Sequence, residues 1–154
     1  MPRRDLTSEW SIDLDESFRG RVVDENLQLV SPGPPARTIW IAVWSPPEDQ
    51  PAEALLAEIL RDVHPAPRER FREAGTGGDE IRYASWYPEV VEGREQWGLY
   101  GYTVRAGSYV QLSLLSDDPA DLDWALSTWR SLQFRPIPTR EGLARRRVPA
   151  ERGQ

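Results

Sequence analysis

Residues 38–45, Thr-Ile-Trp-Ile-Ala-Val-Trp-Ser, are apolar on both faces of an extended chain. Ile39, Ile41 and Val43 fall on one side; Trp40, Ala42 and Trp44 fall on the other. A strand of this kind sits inside a sheet, with both faces covered at least in part. Pro46 and Pro47 end it, because proline cannot donate to the ladder. Whatever this chain folds into must therefore place one aliphatic and one tryptophan-bearing surface on opposite sides of the same strand.

The flanking segments supply partners. Trp10, Ile12 and Leu14 alternate with Ser11 and Asp13, the pattern of a half-buried strand. Residues 18–30 hold one or two short strands around Asp24-Glu25-Asn26, and Ser31–Pro35 is a proline-glycine loop. After the Trp40 strand, Pro51 suits a first helical position, and Ala52, Leu55, Leu56, Ile59, Leu60 and Val63 form an apolar stripe. Residues 65–80 are charged and glycine-rich and predict a loop with one helical turn near Arg68–Glu73. Strands follow at about 81–87, 96–104 and 109–115, the last two joined by a hairpin through Gly107. Asp118-Pro119 opens a second helix, with Leu122, Ala125, Leu126, Trp129 and Leu132 as its stripe.

This order, three strands and a helix given twice, predicts an α+β fold with a mostly antiparallel sheet of about six strands. The 154 residues suit one domain. We expect it over 9–134, between a flexible segment 1–8 and a basic, Pro/Arg-rich, disordered tail over 135–154. The aliphatic sides of the strands are expected to meet the first helix, leaving the second to cover the Trp40/Trp44 side in part.

Composition removes several chemistries. There is no cysteine, so disulfides, thiolate nucleophiles and iron–sulfur clusters are excluded. Lysine is also absent, which excludes Schiff-base catalysis. One histidine, His64, leaves a transition metal short of ligands, and we expect neither metal nor cofactor. The tail's six arginines against Glu141 and Glu151 give it +4, so residues 1–134 carry −10 of the overall −6. A body that acidic argues against nucleic acid. No signal peptide or membrane-spanning run is legible, and the expected location is cytoplasmic.

The short motifs have ordinary explanations. His64 beside Pro65 fits a helix C-terminus. Asp117, Asp118, Asp121 and Asp123 lack the spacing of a calcium loop, and capping accounts for Asp118 and Asp121. Gly75-Thr-Gly-Gly78 runs into Asp79-Glu80, the wrong charge for a phosphate cradle. Arg145-Arg-Arg147 reads as a solvated end. Glu89, Glu92 and Glu95 between two strands could furnish the carboxylate pair of a hydrolase. An aromatic pocket could instead carry a small ligand.

The seven tryptophans exceed what a core of this size requires, and the expected interface is Trp40, Trp44, Tyr109 and Gln111 on one face of the sheet. The early Trp10-x-Ile-x-Leu14 strand, the repeated three-strand-and-helix order, and the closing Ala125-Leu-Ser-Thr-Trp-Arg-Ser-Leu-Gln-Phe134 resemble the PsbP-like superfamily, in particular its bacterial DcrB-like branch. That resemblance implies an α/β/α sandwich and a non-catalytic protein-binding role, chaperone-like or homodimeric. It carries over no functional residue.

Overall fold

Alternating side chains build most of this molecule, and the register of the strands shows which alternation faces which layer. A computed structural model describes residues 2–46, 50–62, 67–76 and 78–136. The strands are β1 (Arg3–Asp5), β2 (Trp10–Asp13), β3 (Arg19–Val23), β4 (Asn26–Ser31), β5 (Arg37–Trp44), β6 (Glu69–Ala74), β7 (Ile81–Val91), β8 (Arg94–Arg105), β9 (Ser108–Ser116) and β10 (Gln133–Phe134). The helices are α1 (Ala52–Leu60) and α2 (Leu122–Arg130). Seven strands form one antiparallel sheet in the order β3-β4-β5-β9-β8-β7-β6, and β1-β2-β10 form a second. The fold is α+β and mostly antiparallel.

Three strands, β1, β6 and β10, add to those expected from the sequence. Residues 69–74, expected as a loop with one helical turn near Arg68–Glu73, are the edge strand β6, paired with β7 from Glu69↔Trp86 to Ala74↔Ile81. Its outward positions are Arg and Glu, the charged dress of an edge strand, and apolar periodicity is therefore missing. Arg3–Asp5, expected to precede the domain, pairs with β2 as β1. At the other end the Arg135 amide donates to the Glu9 carbonyl at 2.7 Å, so the domain runs one step past 134. His64, Arg145–Arg147 and the rest of 137–154 lie outside the described residues.

The aliphatic alternation makes the principal core. Ile39 and Ile41 of β5 stand opposite Leu114 and Leu112 of β9, and Leu99 of β8 stands opposite Leu114 on its other side. These side chains are buried with Trp10 and Ile12 of β2 and with Ala125, Leu126 and Trp129 of α2. The second helix and the small sheet therefore cover the aliphatic face, not the first helix as expected. Burying such side chains contributes about 1.5–3 kcal/mol each. Both helices have apolar stripes, and a stripe alone does not select a sheet face. Phe18 stacked on Trp124 at 6.1 Å and Trp10 edge-on to Phe134 at 5.1 Å fill the rim of the α2 side with rings.

The entry to α2 follows from its residues. The Asp118 carboxylate accepts from the Ala120 amide at 2.8 Å, and Pro119 begins a single 3₁₀ turn that leads into α2. Asp121 accepts two bonds from Arg37, at 2.8 and 2.7 Å, and one from the Ser116 hydroxyl at 2.6 Å. This ties the helix start to β5 and β9. No described helix is long and apolar enough to cross a membrane.

Candidate functional site

The opposite face of the large sheet carries the aromatic side chains. Register places Trp44 beside Tyr109, Ala42 beside Gln111 and Trp40 beside Ser113. On the far side of β9, Tyr109, Gln111 and Ser113 stand beside Val104, Tyr102 and Tyr100. Trp40, Trp44, Tyr109 and Gln111, named from alternation alone, thus share one face. At the usual rise per residue Trp40 and Trp44 are about 13 Å apart.

Helix α1 covers only one end of this face. Its buried Ala52, Leu55 and Leu56 pack on Val104, with Tyr83, Tyr102 and Tyr109 half-buried around them. Trp40, Gln111 and Ser113 lie beyond that cluster and stay half-buried. Trp44 keeps 48% of its surface exposed. Its ring stacks on Tyr109 with centroids 6.3 Å apart and planes 25° off parallel, an offset arrangement that aromatic pairs favour.

Three phenols of the face, Tyr100, Tyr102 and Tyr109, are held toward the neutral form. Burial, followed by the charge of Glu58, raises the Tyr109 pKa, and burial chiefly raises that of Tyr102. At the other end of the face Tyr100 donates a hydrogen bond to Glu89. Burial is the larger cause of its strongly raised pKa and this bond the second.

Two grooves meet at Trp44. The first, about 530 Å³, lies between the sheet and α1 and is lined by Trp44, Tyr109, Pro46, Leu55, Glu58 and Asp62 among others. The second, about 420 Å³, lies at the end of β5 toward the β3–β4 turn, lined by Asp24, Glu25, Ala42 and Trp44 and, from the aliphatic side, by Leu6, Leu27, Ile41 and Val43. Neither is an enclosed cavity. Sequence reading missed the carboxylates around Trp44. The signal available was Glu58 and Asp62 four residues apart, a spacing that shares one side of a helix.

The other candidate residues do not assemble. Glu89, Glu92 and Glu95, expected between strands, belong to the β7–β8 hairpin itself. Glu89 is on the Tyr100 side, whereas Glu95 accepts from the Trp97 indole at 3.1 Å on the other side. Glu92 sits in the turn at φ 53°. A pair pointing to opposite faces of a hairpin does not flank one scissile bond. Asp117 pairs with Arg94 at 2.6 Å, while Asp118 and Asp121 are held as described above. Among the described residues no cluster of three or more His, Asp or Glu is arranged to hold a metal.

No family model and no curated protein matches the sequence. A crystal structure from Bacteroides thetaiotaomicron VPI-5482 is similar, with a TM-score of 0.61 over 84% of this chain at 10% identity. The likeness shows the fold. This chain spans 46% of that protein's length.

Proposed function

We propose that this is a non-catalytic protein-binding domain whose partner surface is the aromatic face centred on Trp44 and Tyr109. The observation that carries the reading is the 48% exposure of Trp44, the member of the ring pair that lies beside the α1 cluster while Tyr109 packs against it. Exposed aromatic surface rimmed by polar groups marks interaction sites, and tryptophan and tyrosine are enriched among the residues that dominate binding energy. The opposed glutamates of the β7–β8 hairpin weigh against the hydrolase reading. The open grooves weigh against an enclosed ligand carrier. Helices against opposite faces of the large sheet support an α/β/α arrangement and, with it, the PsbP-like resemblance. On this reading the domain acts in the cytoplasm, without a cofactor.

The test is affinity capture from the source cells with the wild-type chain and with Trp44→Ala, alongside sedimentation of each alone. The expected result is a captured protein, or a self-associated species, that Trp44→Ala loses while its circular dichroism is unchanged. Equal capture and equal sedimentation by the two would remove this face from consideration.

A further inference from the structure

Trp44 is the meeting point of the two grooves, and their charged lining is of one sign. Glu58 and Asp62 line the first, Asp24 and Glu25 the second, and no arginine lines either. None of these four carboxylates has an ion-pair partner among the described residues. The chain does pair cations with rings elsewhere. Arg37 lies 4.5 Å from the Trp124 ring centroid, Arg68 5.8 Å from that of Trp97 and Arg105 3.9 Å from that of Phe134. Over Trp44 and Tyr109 no described arginine takes that place.

We propose that the occupant of this face is a basic segment of a partner protein, with an arginine side chain laid on the Trp44–Tyr109 ring pair between the carboxylates of the two grooves. The proposal rests on the binding role given above and names the chemistry of the partner. An indole face is the best aromatic acceptor for a cation. A planar guanidinium stacks on it and still directs its edge donors at carboxylates, which an ammonium does not do as well. Pro46, Leu55 and Ile59 line the first groove and offer an apolar wall to the methylene stem. The −10 of residues 1–134 draws a cationic segment toward the body from a distance.

The experiment uses the full chain and a fluorescent dodecapeptide of alternating arginine and glycine, read by anisotropy. A second peptide carries citrulline, the uncharged isostere, at each arginine. The arginine peptide should bind at least about tenfold more tightly than the citrulline peptide. Trp44→Ala should weaken it about fivefold or more, and the pair Glu58→Gln/Asp62→Asn should do the same. A control pair of equal charge change on the distant hairpin, Glu92→Gln/Glu95→Gln, should leave affinity within about twofold, the level of general screening. Circular dichroism of each variant checks that it is folded.

Equal binding of the two peptides, or equal losses in the two double variants, would overturn the proposal in favour of no specific site or of diffuse charge attraction. If the arginine peptide fails while capture of a partner still depends on Trp44, the cationic occupant is wrong and the binding face stands. If capture is also indifferent to Trp44, both fall.

Discussion

Gly101 lies against the indole of Trp129 so closely that a Cβ built on the glycine would sit 2.6 Å from Trp129 Cδ1 and Nε1. Trp129 is fully buried, and this contact sets how near α2 approaches β8. A glycine inside a strand commonly marks such an approach. Gly101→Ala should therefore cost about 1–3 kcal/mol, read as a lower urea midpoint at unchanged slope. Adding Trp129→Phe should recover part of that loss in a double-mutant cycle. Additive losses would mean that the two residues do not limit each other.

The Arg37–Asp121 pair gives an acid limb to stability. Burial alone would raise the Asp121 carboxyl, but hydrogen bonds from Arg37 and Ser116 overcome it and hold the pKa below the ordinary 3.8. The folded value is thus lower than the unfolded one. The pair's contribution is present in full above about pH 4 and is lost as the pH falls through the lowered folded value. Asp121→Asn should cost about 2–3 kcal/mol at pH 7 and flatten the stability curve below about pH 4. Denaturant titrations at pH 7 and pH 3 check both points.

Tyr100 gives the corresponding alkaline limb. Its phenol is held neutral by burial and by the bond to Glu89, so the unfolded chain ionises first. Stability should fall as the pH rises above about 10, where the unfolded phenol loses its proton. Tyr100→Phe should reduce the slope of stability against pH between pH 9 and 11, with Tyr102 and Tyr109 accounting for what remains. An unchanged slope would mean that Tyr100 ionises as freely when folded as when unfolded.

Trp44 is a test of where the face ends. A half-exposed ring with one stacking partner contributes modestly, so Trp44→Ala should lower stability by about 1 kcal/mol. A thermal or urea midpoint showing a loss of 3 kcal/mol or more, the scale of a buried tryptophan (about 3–5 kcal/mol), would mean that the side chain is sealed.

The faces of β5 and β9 were legible in the sequence because alternation has a period of two and both strands keep it without a bulge. Val110, Leu112 and Leu114 on one side, Tyr109, Gln111 and Ser113 on the other, follow directly. What alternation does not encode is which helix meets which side. The answer depended on Trp129, whose bulk needs the space over Gly101, and on Val104 and the tyrosines around it, against which Ala52, Leu55 and Leu56 of α1 pack. Strand β6 was illegible because an exposed edge strand is written in charges. The Glu58/Asp62 contribution to the candidate site was hidden for a related reason. Helix spacing groups those two carboxylates, but only the packing of α1 on Tyr109 brings them to Trp44.

The small sheet has a mechanical consequence. Strands β1 and β10 each pair antiparallel with β2, Arg3↔Asp13 on one side and Phe134↔Trp10 on the other, so they run in the same direction. A pull applied at Arg3 and at Phe134 draws the two strands past β2 in opposite senses along their lengths. The load then falls on all the ladder bonds at once, in shear, instead of opening them one after another like a zipper. Tension on this domain through its flanks meets β1-β2-β10 as a clasp before it reaches the seven-stranded sheet.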